Sequence, residues 1–152
     1  SYWEAGVRHL VALRGDPPEP GRPFAAHADG YASAADLVVG LRRVADFDIS
    51  VACYPEIHPE ADCADSDIDN LLRKIDAGAN RAISQFFFSA ECFLRFRDKV
   101  AALRPGIEIV PGILPVTNVA QARRFAGQCG AAIPAWMDAL FEGLDELPAA
   151  RQ

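Results

Sequence analysis

The sequence lacks the loops that mark the common nucleotide-binding folds. It contains no G-x-G-x-x-G fingerprint and no phosphate-binding P-loop, and it also has no G-x-S-x-G elbow around a nucleophilic serine. The absence of both nucleotide-binding loops argues against an open, doubly wound sheet that binds a dinucleotide.

The chain also has little of what a membrane, secreted or nucleic-acid-binding protein needs. No apolar run approaches the ~20 residues that span a bilayer, and no signal-peptide pattern opens the sequence. The net charge is −6 and no basic stripe could bind nucleic acid. The cysteines are widely spaced and form no C-x-x-C pair, which indicates reduced thiols; they are Cys53, Cys63, Cys92 and Cys129. We therefore expect a cytoplasmic protein without membrane or nucleic-acid partners.

What the chain does contain is enough apolar sequence for one core, since 51% of its 152 residues are hydrophobic. Four short apolar runs have the composition of strands and begin at Val7, Asp48, Asn80 and Ile107. Amphipathic helical patterns follow them, with predicted N-terminal caps at Ser33, Ser66, Ser89 and Asn118. A fifth helix is predicted from Pro134. The periodicity also predicts burial near the helix ends, at Val44, Leu103, Met137, Leu140 and Leu144.

This alternation of strands and helices implies parallel strands joined by right-handed crossovers. Two architectures are compatible with it: a small doubly wound sheet, or part of an eight-stranded (β/α)8 barrel. A full barrel needs roughly 250 residues. Four units in 152 residues would therefore make about half of one.

Polar residues gather where the predicted strands end, and in both architectures ligands bind beyond the carboxyl ends of the strands. Arg14-Gly15-Asp16 follows the first strand, Tyr54 and His58 follow the second, and Gln85 ends the third. Strand alternation predicts that Ile83, Gln85 and Phe87 point the same way. Two interpretations of Gln85 stay open: it offers a donor and an acceptor to a flat heterocycle, or it only satisfies a neighbouring backbone group.

The second helix carries a polar stripe of Asp67, Asn70 and Lys74 at i, i+3 and i+7, with Arg73 beside it, predicted to lie opposite the leucines. Such a stripe could bind a phosphate-bearing, hydroxyl-rich ligand, or it could be a solvated helix face. A calcium loop is not expected in "DSDIDN", because Asn70 stands where such a loop needs glycine. No metal site is expected at His58 either, since the other histidines are distant in sequence.

Taken together, these stretches resemble methylenetetrahydrofolate reductases of the bacterial type. The matching segments are "GVRHLVALRGD", "YASAADLV", "VADFDISVACYPEIHPEA", "NLLRKIDAGANRAISQFFF", "FLRFRDKV", "IEIVPGILPVTN" and "IPAWM". They occur in order and cover nearly the whole chain. The resemblance implies a (β/α)8 barrel that carries FAD and forms a homo-oligomer at full length. NADH or NADPH would reduce the flavin, whose N5 would then pass the hydride to 5,10-methylenetetrahydrofolate to give 5-methyltetrahydrofolate.

The resemblance also implies roles for individual residues. Asp16 is expected to be catalytic, because a carboxylate there can stabilise the cationic iminium form of the folate. Asp16, Gln85 and Gln121 would contact the folate. The FAD-binding residues would be Arg14, Gly15, Asp16, Tyr31, Ala32, Tyr54, His58, Ala61, Asp67, Asn70, Arg73 and Lys74.

The resemblance covers only part of the family's barrel. Residues 1–152 would be a single segment of the catalytic domain, incomplete at both ends, and would supply roughly strands four to seven of eight. The family's glutamate proton donor would precede Ser1. We expect the segment alone to be aggregation-prone and inactive, since half a barrel has two unpaired edges. Two alternatives stay open: a non-catalytic flavin- or folate-binding remnant, and a flavin-free barrel enzyme that acts on a phosphate-bearing substrate.

Overall fold

Strands and helices alternate along the chain in a computed structural model, which describes residues 1–17, 22 and 24–143. The elements occur in the order β1 (His9–Ala12), α1 (Ala34–Val44), β2 (Asp48–Cys53), α2 (Ala64–Asp76), β3 (Arg81–Phe86), α3 (Ala90–Leu103), β4 (Glu108–Gly112), α4 (Val119–Cys129) and α5 (Ala135–Phe141). The prediction of four βα units and a final extra helix is confirmed. No helix in the described ranges is long and apolar enough to cross a lipid bilayer.

The four strands form one parallel sheet whose spatial order, β1-β2-β3-β4, repeats their order in sequence. The register pairs His9 with Asp48, Ser50 with Arg81, and Arg81 with Glu108. A doubly wound sheet reverses its strand order at a switch point, whereas successive strands of a barrel add in one direction. The order does not reverse within the described residues, so this α/β arrangement is consistent with part of a barrel wall.

The core lies between one face of the sheet and the helices. Ile49 and Val51 of β2 and Ala82 of β3 are completely buried there, in a cluster with Val38 of α1 and Leu71 of α2. Successive residues of a strand point to opposite faces, so the residues between these belong to the other face. Val11, which pairs with Ser50 on that second face, is 56% exposed. One face of the sheet is packed, and the other is open along β1.

A row of charged residues joins the amino ends of all four strands. Oδ2 of Asp48 lies 2.8 Å from Nη2 of Arg81 and 2.8 Å from Nδ1 of His9. Nε of Arg81 lies 3.2 Å from a carboxylate oxygen of Glu108. The Arg81 guanidinium lowers the pKa of Asp48 despite partial burial. This row ties the strands together at the end of the sheet opposite the candidate site.

Ser33, Ser89 and Asn118 cap α1, α3 and α4 as predicted, each accepting a hydrogen bond from the backbone N–H three residues later. The predicted cap of α2 is wrong, because the helix begins earlier, with Cys63 as its N-cap. The N–H of Cys63 donates to Oγ of Ser66, with 3.2 Å between the two atoms. Ser66 is therefore the third helical residue, a position from which a side chain reaches back to the cap.

Three apolar side chains predicted to be buried at helix ends are exposed. Val44 ends α1, Leu103 ends α3 and Leu140 lies next to the end of α5; their exposed fractions are 63%, 48% and 60%. Periodicity identifies residues that share a helix face, but it does not show how far the neighbouring elements extend. Met137 is buried as predicted. Leu144 lies outside the described residues.

Candidate functional site

Side chains from the loops after β1 and β2 meet at the carboxyl end of the sheet. Nη2 of Arg14 lies 2.7 Å from Oε2 of Glu60, and this ion pair joins the two loops. The Arg14 guanidinium also lies over the ring of Phe24, 4.7 Å from its centroid. In the second loop, the rings of Tyr54 and His58 meet edge to face with centroids 4.5 Å apart. The sheet end thus carries a cation and three aromatic rings in one region.

The loop after β2 folds back onto the first turn of α2 through Asp67. The backbone N–H of His58 donates to Oδ2 of Asp67 over 3.0 Å, and Asp67 is only 9% exposed. The N–H of Ala61 donates to the carbonyl oxygen of His58 over 2.8 Å. A buried carboxylate that accepts a backbone hydrogen bond is both solvated by the protein and held in place. Asp67 therefore fixes the part of the loop that contains His58 and Ala61.

Lys74 places a buried cation beside the carboxyl end of β2. Its side chain is 7% exposed, and Nζ donates to the carbonyl oxygen of Ala52 over 2.9 Å. Burial lowers the pKa of Lys74, and the nearby Asp67 carboxylate partly offsets this effect. The predicted position of the stripe is thus wrong for Asp67 and Lys74, which share the buried face with Leu71. The cause is that α2 turns this face toward the end of β2, where polar atoms are available as partners.

The remaining members of the stripe lie nearer the solvent. Asn70 is half-buried and Arg73 is exposed, and Nη2 of Arg73 lies 3.5 Å from Oδ1 of Asn70. Together with Asp67 and Lys74, they combine two cations, an amide and a carboxylate on adjacent turns of one helix. This donor and acceptor set matches a ligand that has both phosphate and hydroxyl groups.

Asp16 lies close enough to Tyr54 to influence its ionisation. Burial raises the pKa of the Tyr54 hydroxyl, and nearby Cys129 and Asp16 add to the increase. Gly15 precedes Asp16 with a φ of 83°, in the left-handed region that favours glycine. Gly15 follows Arg14 directly, and Asp16 is exposed shortly after the end of β1.

Gln85 lies in an irregularity between β3 and β4. The register slips between Ile83 and Phe86, so that Ser84 and Gln85 together lie opposite Pro111. The strict alternation predicted for this strand is therefore interrupted. Oε1 of Gln85 accepts the backbone N–H of Phe86 over 3.1 Å, which is the local role considered for this amide. This hydrogen bond involves only the amide oxygen of Gln85, and the two N–H donors of Nε2 take no part in it.

Tyr31, Ala32 and Gln121 lie apart from the contacts described so far. The ring of Tyr31 is packed against Gly40 of α1, and the side chain is 51% exposed. Ala32 is exposed just before the α1 cap, and Gln121 is exposed in the first turn of α4. Within the described part of the chain, no hydrogen bond or ring contact joins these three side chains to the Tyr54–His58 loop.

One hydrogen bond in this region could not be predicted from the sequence. Oε2 of Glu56 accepts the backbone N–H of Ala132 over 2.7 Å, which connects the loop after β2 to the segment between α4 and α5. Gly130 closes α4 with a φ of 72°, and a Cβ there would lie 2.9 Å from the carbonyl oxygen of Ile57. Glu56 and Ala132 are 76 residues apart in sequence, and only the fold brings them together.

The described residues include no group of three or more His, Cys, Asp or Glu side chains that could hold a metal ion. His58 takes part in local bonding, because its Nδ1 accepts the backbone N–H of Glu60 over 3.0 Å.

The amino-acid sequence is similar to those of known proteins. A protein-family model described as methylenetetrahydrofolate reductase matches residues 1–152. The chain is 58% identical over 146 residues to 5,10-methylenetetrahydrofolate reductase of Escherichia coli (strain K12), covering 95% of this chain and 47% of that protein. It is 57% identical over 152 residues to the protein of the same name from Pectobacterium carotovorum subsp. carotovorum, covering 99% and 49%. Methylenetetrahydrofolate reductase (NADH) 1 of Arabidopsis thaliana is 38% identical over 152 residues, covering 93% and 26%. The chain thus spans about half the length of these bacterial relatives.

Proposed function

Because this chain belongs to the methylenetetrahydrofolate reductase family, we propose that the full-length protein containing it reduces 5,10-methylenetetrahydrofolate to 5-methyltetrahydrofolate. The proposed cofactor is FAD and the proposed reductant is NADH or NADPH. Assembly into a homo-oligomer and a cytoplasmic location belong to the same proposal and rest on the family resemblance alone.

The proposal includes the architecture of the catalytic domain. Residues 1–152 would form a single segment of a (β/α)8 barrel, roughly strands four to seven. Two observations support this: the strand order does not reverse in the described residues, and the second face of the sheet exposes Val11 and Leu13, each at 56%. In a closed barrel this second face would line the packed interior.

The observation that carries the proposal is the buried polar pair of Asp67 and Lys74 beside Tyr54 and His58. A buried cation is costly unless an anion compensates it, and burial already lowers the pKa of Lys74. A phosphate group near Nζ would supply that compensation. The Asp67 carboxylate and the Asn70 amide can bind ribityl hydroxyl groups, and Arg73 adds an exposed cation. These residues fit the phosphate and ribityl portion of FAD.

The folate side of the site would be formed by Asp16, Gln85 and Gln121. The Asp16 carboxylate can stabilise a cationic iminium form of methylenetetrahydrofolate, because a fixed charge at a developing positive centre lowers the barrier. The Nε2 donors of Gln85 can bind an acceptor atom of a flat ring. FAD, when bound, would supply the hydride chemistry that amino-acid side chains cannot perform.

The proposal is tested by purifying the full-length protein, identifying any bound chromophore and measuring formation of 5-methyltetrahydrofolate with NADH and with NADPH. Lys74→Ala should lose most of the bound FAD. The matched control is Lys99→Ala, an exposed lysine of α3 paired with Asp65, which should retain it. The 152-residue chain alone should show no turnover.

The outcomes separate the alternatives. A full-length protein that binds FAD but does not turn over would contradict the reductase and favour a non-catalytic remnant. A colourless protein that binds a phosphate-bearing substrate would favour a flavin-free barrel enzyme. Turnover by the 152-residue chain alone would contradict the half-barrel interpretation.

A further inference from the structure

The irregularity at Gln85 has a cause in β4. Pro111 lies within this strand and has no backbone N–H, so it cannot donate to the hydrogen-bond ladder with β3. At this point Ser84 and Gln85 of β3 lie opposite the single residue Pro111. Two residues facing one define a β-bulge, a feature that bends a strand and redirects a side chain.

A hydrogen bond between Gly112 and Ser84 joins the two strands at the bulge, immediately after the proline. The N–H of Gly112 donates to Oγ of Ser84 over 2.9 Å, and Ser84 is only 5% exposed. A Cβ on Gly112 would overlap the carbonyl oxygen of Ser84 and would lie 3.3 Å from the backbone carbon of Gln85. The obstacle is backbone rather than a flexible side chain. Any residue larger than glycine must therefore push the Ser84–Gln85 backbone away from β4.

We propose that Ser84 and Gly112 are positioning residues, which hold the backbone of Gln85 so that its amide meets the substrate. This inference rests on the proposed function, in which Gln85 contacts the folate. With Oε1 bonded to Phe86 and the backbone fixed by the bulge, Gln85 loses little conformational freedom when a ligand binds. A site group that is fixed in advance binds more tightly than a mobile one, and small displacements of it are costly.

The test uses the full-length protein and the value of kcat/KM for methylenetetrahydrofolate. Gly112→Ala should lower kcat/KM by about tenfold to hundredfold, because a displacement near 1 Å has effects of this size. Ser84→Ala, which removes the Oγ acceptor, should lower it by about threefold to tenfold. FAD content should be unchanged in both, since neither residue lies in the FAD-binding set. Gly127→Ala is the matched control, because a Cβ at this glycine of α4 meets nothing within 4 Å.

A second measurement separates positioning from loss of stability. In a Gln85→Ala background, Gly112→Ala should change kcat/KM by less than about twofold, since the group it positions is gone. An equal loss in both backgrounds would overturn the inference. If Gly112→Ala does not fold, Ser84→Ala is compared in the same two backgrounds, and unchanged kcat/KM in the presence of Gln85 would also overturn it. A wild-type protein without reductase activity would instead overturn the proposed function itself.

Discussion

The backbone N–H of His58 donates a hydrogen bond to the buried carboxylate of Asp67, with 3.0 Å between N and Oδ2. The same carboxylate partly offsets the lowering of the pKa of Lys74 by burial. One side chain thus holds the loop after β2 and also stabilises the buried cation of α2. This double role connects the stability of the site to its proposed capacity to bind FAD.

Asp67→Ala should destabilise the full-length protein by about 1–3 kcal/mol, the cost of leaving the partly buried N–H of His58 without its acceptor. It should also lower the FAD content, because the loop that contains His58 loses its anchor. Asp67→Asn keeps an acceptor at the same place and should lose less stability. Thermal unfolding and flavin absorbance would measure both effects. Equal stabilities of the alanine variant and wild type would contradict this role.

Lys74→Met should stabilise the FAD-free protein while weakening FAD binding. Burial outweighs the favourable charge of Asp67, so removing the buried charge should gain more than the loss of the hydrogen bond from Nζ to the carbonyl oxygen of Ala52 costs. The substitution should raise Tm by a few degrees, about 1 kcal/mol. Lys99→Met is the exposed control, with little expected change.

The effect of Lys74→Met on stability should depend on pH. The pKa of Lys74 is lower in the folded chain than its ordinary value, so its charge opposes folding at neutral pH. That cost decreases as the pH rises through the folded pKa. The stability advantage of Lys74→Met should therefore shrink in alkaline buffer. An advantage that grows with pH would be inconsistent with this assignment.

Gly40→Ala should displace Tyr31. Alanine normally stabilises a helix interior by about 1 kcal/mol relative to glycine. At Gly40, however, a Cβ would overlap the hydroxyl of Tyr31 and lie 2.8 Å from its Cε1. We expect no gain in stability and a loss of FAD, whereas in a Tyr31→Ala background the same change should be stabilising. Denaturant unfolding of the wild type, the two single variants and the double variant measures these changes in stability. If Gly40→Ala raised the stability equally in both backgrounds, the contact with Tyr31 would be excluded.

The cysteines should differ widely in reactivity. Hydrogen bonds from Ser66 and the backbone of Asp65 lower the pKa of the exposed Cys63 thiol, whereas burial raises the pKa of Cys53 to about 12. Only the thiolate reacts with alkylating reagents. Iodoacetamide at pH 8, followed by mass spectrometry, should label Cys63 first and Cys53 only after unfolding. Equal labelling of the two in the folded protein would contradict the described burial.

Local patterns in the sequence predicted most of the fold. Short apolar runs predicted the four strands, and residues with hydroxyl or amide side chains predicted the starts of α1, α3 and α4. These signals are readable because they depend only on residues close in sequence. The start of α2 was mispredicted because a cysteine stands at its N-cap, outside the usual capping residues. The exposure of apolar side chains at helix ends, such as Leu103, was not predictable, because it depends on where the neighbouring elements end.

The candidate site was predictable to a different extent. The loops that carry Arg14 and Glu60 meet because parallel strands bring their carboxyl ends to one edge of a sheet. The burial of Lys74 was not predictable from spacing, since the orientation of α2 is decided by packing against β2. The bulge at Gln85 depends on the pairing of Pro111 with a strand that lies a helix earlier in sequence.

The most direct test of the central claim is the rate at which methylenetetrahydrofolate reoxidises the reduced flavin of the full-length protein, followed anaerobically by absorbance. The wild-type protein should reoxidise completely. Asp16→Asn should retain its FAD but react at least about tenfold more slowly, since it lacks the fixed negative charge. A protein without bound flavin, or an Asp16→Asn variant that reacts as fast as wild type, would contradict the assignment of the β1 strand end to the folate site.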